Sequence, residues 1–305
     1  MHDQSNTLKQ INKSGFPFQL RVEDEIRSTQ ADHRWSVASH EHPWSNPGTE
    51  SSGFIDIVLK HNVISTLRLV IECKRMKADD ARQLRWLFLL PGESASKETH
   101  VASCFEVEAR GMRGYALERT AVEPVAIPWQ DLRIWDNVRI SPASLQSEFC
   151  VLPSDEQRRQ PILESLAREV LESVEGLAQE EVDIQKSQES GHVRLFILPA
   201  IVTNAEIAVC RFRSSEVKIV DGTLDPSDVE ISIVPFIRFR KSLATDFPPG
   251  ASLHNLATAN QARERTVFIV NATSLSEFLR NWDIQPLRAS EEFALRRLLR
   301  AATEP

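Results

Sequence analysis

In the stretch GFIDIVLKHNVISTLRLVIECKR, Gly53 to Arg75, two apolar runs carry Asp56 in the first and Glu72 and Lys74 in the second. Side chains alternate along a strand, so Val70, Glu72 and Lys74 project to one face while Leu69, Ile71 and Cys73 project to the other. An antiparallel hairpin whose paired numbers sum to about 128 sets Asp56 opposite Glu72, with Cβ atoms roughly 4.5–5.5 Å apart. Two carboxylates that close, shielded from water beside a single ammonium, cost several kcal/mol unless a partner neutralises them. A divalent cation is such a partner. Magnesium takes oxygen ligands, commonly one or two carboxylates with waters and a substrate phosphate, and Lys74 adds a positive charge near that phosphate or the attacking water.

The chain holds a second E-x-K triplet, Glu216 and Lys218 in SSEVKIVDG, but it follows RFRSS and runs into an Asp-Gly turn. It has neither an apolar run before the glutamate nor a hairpin partner carrying an aspartate, so only the first triplet is read as a site. HEH at 40–42 stands among polar loop-forming residues and reads as incidental rather than as a metal pair. Trp35, Trp44 and Trp86 are expected in the core or as loop anchors rather than as base-stacking platforms. The sequence contains no glycine-rich phosphate loop, no G-x-S-x-G elbow and no H-E-x-x-H helix.

The elements that must position these residues are legible in outline. GFPFQLRVEDEIRSTQ places Phe18, Val22 and Ile26 four apart and predicts an amphipathic helix of about three turns. HEHPWSNPGTESSG reads as a loop leading to the hairpin of strands 54–60 and 67–74, which is apolar on both faces and so central in a sheet. ADDARQLRWLFLL predicts a helix burying Leu84, Leu87 and Phe88. Residues 91–153 read as an insertion with short strands in ASCFEVEA and LRIWDNVRI. PILESLAREVLESVEGLAQEEV predicts a long helix with Ile162, Leu166, Val170, Val174 and Leu177 on its buried face and Pro161 at its first position. HVRLFILPAIVT, EIAVCRFR and VEISIVPFIRFR predict strands, and RTVFIVNATSLSEFLRNW a strand, a serine or threonine cap and a final helix.

Composition bounds the reading. With 305 residues, 41% hydrophobic and 26% charged, the chain is globular in type, and a single domain of residues 15–305 after a flexible leader of residues 1–14 is expected. Its polar opening and short apolar runs predict a soluble cytoplasmic protein, and four scattered cysteines with no CxxC pair fit a reducing compartment. A net charge of −7 argues against indiscriminate nucleic-acid binding but says little about one cleft. Basic residues Arg75, Lys77, Arg82 and Arg85 adjoin the charged hairpin and are the candidates for phosphate contact.

GFIDIVL and LVIECKR together resemble the PD-(D/E)XK restriction-endonuclease-like nuclease superfamily: an aspartate within a strand, a short connection, then apolar residues leading into E-x-K. The FPFQLRVEDEI helix resembles that fold's opening helix, and the later helix and LFILPAIVT strand stand in a suitable order to complete an α/β core. The resemblance implies an α/β fold with a mixed central sheet flanked by helices. It implies Mg2+, with Mn2+ as a substitute, held by Asp56, Glu72 and the main-chain carbonyl of Cys73, with Lys74 orienting or activating water for phosphodiester hydrolysis. Relatives often have a glutamate on the first helix where this chain has Gln19, so Glu23, one turn on, is expected in that role, with Glu25 a further candidate. No Gln followed by Tyr of the exonuclease-like kind is present, the sole tyrosine being Tyr115. The expectation is therefore a magnesium-dependent DNA endonuclease of prokaryotic restriction or antiphage type, with RNA an open alternative substrate and a homodimer or a defence-system protein as expected partners. The alternative is a non-catalytic nucleic-acid-binding or sensor subunit on the same fold. A third reading is a structural hairpin in which Glu72 and Lys74 pair only with each other.

Overall fold

The structure, a computed structural model, describes residues 4–46, 50–63, 67–76, 85–92, 103–107, 117–120, 138–140, 145–152, 162–188, 193–243, 255–256, 263–280 and 282–284. Two helices open the chain, α1 (Gln4–Ser14) and α2 (Phe16–Ser28), with Gly15 between them at φ 87°, a left-handed conformation that glycine adopts without strain. The expected leader is thus helical over Gln4–Ser14, with no buried residue. On α2 the four-residue spacing buries Val22 and Ile26, together with Gln19.

Strands β1 (Trp35–Asn46), β2 (Ser51–His61) and β3 (Leu67–Lys74) form an antiparallel meander. The chain continues through β4 (Arg85–Pro91), β5 (Ser103–Val107), β6 (Leu117–Thr120), β7 (Val138–Ile140), β8 (Gln146–Ser147) and β9 (Phe149–Val151) to the long helix α3 (Ile162–Gln188). Then come β10 (Val193–Thr203), β11 (Glu206–Phe212), β12 (Glu230–Ile233), β13 (Phe236–Ser242), β14 (Glu264–Asn271), α4 (Leu275–Arg280) and β15 (Trp282–Ile284). The fold is mixed α/β. Its main sheet runs β1-β2-β3-β10-β14-β13-β8, with β5 beside the first half of β10 and β6 beside β5. After α3, β10 returns parallel to β3, from Phe196 opposite Leu67 to Thr203 opposite Lys74. A second sheet, β12-β11-β4-β9, is built on the parallel pair β11 and β4, and β7 pairs with β15.

Two cores result, one on each face of the main sheet. The first gathers Val58 and Val70 from the hairpin, Trp86, Phe88 and Leu90 from β4, Ile207 and Val209 from β11, and the Leu163, Leu166, Val170, Val174 and Leu177 stripe of α3. The second packs Val22 and Ile26 of α2 and Leu275, Phe278 and Leu279 of α4 against Ile57, Leu59, Leu69, Ile71, Leu198 and Phe268. Burying each of these aliphatic side chains is worth about 1.5–3 kcal/mol. Helix α3 is fixed across its sheet by polar contacts: Glu164 pairs with Lys241 of β13 at one end, and at the other Glu181 pairs with Arg68 of β3 (2.6 Å) and Glu180 hydrogen-bonds His42 of β1 (2.8 Å).

Four expectations are corrected. The segment 85–91 is a strand rather than the end of a helix: Trp86, Phe88 and Leu90 are buried at a period of two while Leu87 faces the other way, and the aromatic and aliphatic run gains a ladder beside β11. Residues 77–84, including Leu84, lie outside the described residues. The loop expected from residue 40 is strand through Asn46, because β1 is the edge of its sheet and an edge tolerates Pro43. VEISIVPFIRFR is two strands in different sheets, β12 and β13, parted at Val234 and Pro235. After β14 it is Asn271, not a serine or threonine, whose side chain accepts from the Thr273 N–H (2.9 Å). Pro161 lies outside the described residues. No helix among the described residues is long and apolar enough to cross a membrane.

Candidate functional site

The ladder between β2 and β3 pairs Ile57 with Ile71, Val58 with Val70, Leu59 with Leu69 and Lys60 with Arg68, each pair summing to 128. One further step in that register brings Asp56 level with Glu72. There the main-chain ladder gives way to a side chain: Asp56 Oδ2 accepts the Cys73 N–H at 2.6 Å. Facing also changes on β2, since Ile57 and Leu59 enter the second core whereas Ile55 joins Val58 in the first.

Asp56, Glu72 and Lys74 are all half-buried. Burial is the main reason both carboxyls resist ionisation. It pushes Asp56 up to about 6, with the Cys73 N–H and Lys74 pulling down and Glu41 pushing up. Glu72 is pushed up to about 8, first by burial and then by Asp56, with Glu169 of α3 and Glu41 adding repulsion and Lys74 offsetting part of it. Lys74 offsets only part of the penalty, and a cation beside the two carboxyls would favour their ionised forms. Cys73 points to the opposite face, against the second core, and burial followed by the surrounding carboxylates holds its thiol well above the usual range, as a thiol.

The donor set suits a hard cation. Asp56 and Glu72 offer carboxylate oxygens, and an ion that keeps several waters needs only one or two of these. Among the described residues no three His, Cys, Asp or Glu side chains stand close enough to hold a metal ion by themselves. The arrangement is thus a two-carboxylate platform rather than an all-protein cage.

Of the first-helix candidates, Glu23 is engaged by Arg27 (2.6 Å) with His40 Nδ1 at 3.6 Å, and Glu25 pairs with Arg21 (2.8 Å). The helix residue that reaches the hairpin is Gln19, whose Nε2 donates to the Asp56 carbonyl (3.3 Å) and to Glu41 Oε1. Glu41 is the residue that reading the sequence missed. It sits in the HEH stretch taken as incidental, between His40 opposite Ile57 and His42 opposite Ile55, hence level with Asp56. The usable signal was an edge strand beginning at Trp35. The two histidines take separate partners: His42 goes to Glu180 while His40 approaches Glu23.

Of the basic candidates, Arg75 is half-buried directly after β3, and Arg85 is paired with Glu206 (2.5 Å). Lys77 and Arg82 lie outside the described residues. Trp35 and Trp86 are fully buried and Trp44 nearly so, which makes them core residues as expected. Comparisons with family models, with curated proteins and with solved structures returned no match.

Proposed function

We propose that this chain is a magnesium-dependent nuclease on a restriction-endonuclease-like core, acting as a DNA endonuclease in prokaryotic restriction or antiphage defence. The observation that carries the reading is the register of β2 and β3: it draws Asp56 and Glu72 together beside Lys74 in a half-buried position whose carboxyls lack compensating charge. The order of elements supports it. Helix α2 precedes the β1-β2-β3 meander that carries the charged hairpin, and after β4 to β9 come the long helix α3 and β10, which returns parallel beside β3.

In this reading Asp56, Glu72 and the Cys73 carbonyl hold the cation. When bound, Mg2+ supplies Lewis acidity at the scissile phosphate and offsets the charge that develops there. Lys74, on the same face as Glu72, orients the attacking water and stabilises the growing negative charge. Asp56 is kept in place by the Cys73 N–H, so its second oxygen has a fixed direction. Arg75 contacts the phosphate backbone, which positions the substrate without specifying its sequence.

The test is cleavage of circular and linear DNA, with RNA alongside, by the wild-type protein and Lys74→Ala, in Mg2+ or Mn2+ and in EDTA. Metal-dependent cutting reduced at least about 100-fold in the variant is the expected outcome. One observation favours a second reading, a nucleic-acid-binding subunit that has lost hydrolysis: α2 presents the amide Gln19 to the hairpin where the resemblance implies an acid. DNA binding without cutting by either protein would select that reading.

A further inference from the structure

We propose that Glu41 is an outer carboxylate of the cation site, accepting hydrogen bonds from the cation's waters, and that Gln19 is the positioning residue that holds it there. This rests on the cation proposed at Asp56 and Glu72.

Three observations meet at Glu41. First, the β1 to β2 register places it level with Asp56, while the β2 to β3 register places Asp56 level with Glu72, so three carboxylates stand in one row across three neighbouring strands. Second, Glu41 has φ 46°, a left-handed conformation that is costly for a glutamate and persists only where the surroundings enforce it. It lies within a strand, between two paired histidines, where extended backbone would be the default.

Third, Gln19 is 7% exposed on the face of α2 that otherwise buries Val22 and Ile26, and its amide nitrogen joins Glu41 to the Asp56 carbonyl. An apolar residue would serve that helix face better for packing alone. A glutamine there donates two hydrogen bonds without adding a fourth negative charge. One Glu41 oxygen is taken by this clamp, which fixes the aim of the other.

Because the side chains of Glu41, Asp56 and Glu72 do not converge on one point, Glu41 acts through water. A magnesium-type ion keeps several waters, and these need acceptors. Groups that accept from or orient a metal's inner ligands typically contribute 10- to 100-fold in affinity.

The test is calorimetric titration of the metal-free full chain with Mn2+, using wild type, Asp56→Asn and Glu41→Gln. Glu41→Gln keeps an oxygen for the Gln19 amide and removes only the charge. Wild type should bind, Asp56→Asn should abolish binding, and Glu41→Gln should weaken it about 10-fold or more with no fall in melting temperature in EDTA. Should Glu41→Gln fail to fold, Glu41→Asn serves in its place, since asparagine tolerates the left-handed conformation, and the same weakening is expected. Equal affinity in wild type and the Glu41 variant overturns the role of Glu41 while leaving the Asp56 and Glu72 site standing. No binding by wild type overturns both.

Discussion

The two carboxyls of the hairpin have measurable consequences for the metal-free protein. Glu72 ionises near its ordinary value of 4.5 when the chain is unfolded but only at about 8 when folded. The folded state therefore holds the extra proton between those values, and stability falls as pH rises through the window. Asp56 contributes the same sign between 3.8 and about 6. His61, buried against Trp35, has its pKa lowered from 6.5 to about 4 and contributes the opposite sign over that range, losing stability as pH falls. Above pH 6.5 the Glu72 effect therefore stands alone among the three. In EDTA, the stability of Glu72→Gln relative to wild type should increase by about 2 kcal/mol between pH 6.5 and 8.5, read from urea midpoints. A difference that stays flat across that range would show that Glu72 ionises normally and that the pocket lacks no charge. Asp56, Glu72 and Lys74 were legible because polar groups inside apolar runs violate the strand pattern. Glu41 was not, because a glutamate flanked by histidines and prolines carries no such contradiction until the strand around it is known.

Helices and strands were legible in proportion to how much their own residues decided. The α3 stripe and the β2 to β3 register follow from apolar periodicity, and both stand as expected. The segment 85–91 did not, because RWLFLL satisfies either period over six residues and its partner, β11, lies more than a hundred residues downstream. Likewise β1 becomes a strand through pairing with β2 despite Pro43. Gly176 shows the same dependence on partners. In an exposed helix interior Gly→Ala would stabilise by about 0.5–1 kcal/mol. Here a Cβ on Gly176 would lie 2.7 Å from Trp44 Cε3 and 3.3 Å from the Ser45 carbonyl oxygen. Trp44 is itself packed in the first core at 9% exposed, which limits how far its ring can yield. Gly176→Ala should therefore destabilise by about 1–3 kcal/mol in a denaturant titration, reversing the helix-propensity sign. A neutral or stabilising result would mean that α3 and β1 can separate without cost.

At the scale of the molecule, the question is whether the second sheet is an appendage or part of the unit that holds the site. The first core answers in favour of one unit: Trp86 and Phe88 of β4 pack in the same cluster as Val58 and Val70 of the hairpin and the apolar stripe of α3. The chain passes from β10 in one sheet to β11 in the other within two residues, and Asn204 in that turn ties back to Met76, just past Lys74, through a bond to each of its main-chain groups (2.7 and 3.1 Å). Loss of packing in the second sheet should thus reach the candidate site. Trp86→Ala removes a fully buried indole and should cost about 3–5 kcal/mol. If the sheets form one unit, far-UV circular dichroism and tryptophan fluorescence should report a single coincident thermal transition in wild type and variant, displaced to lower temperature in the variant. Mn2+ should then raise the midpoint by both probes alike, since an ion bound at the hairpin stabilises everything that unfolds with it. Two separated transitions, with only one of them moved by the metal, would show that the second sheet melts independently and that the site depends on the main sheet alone.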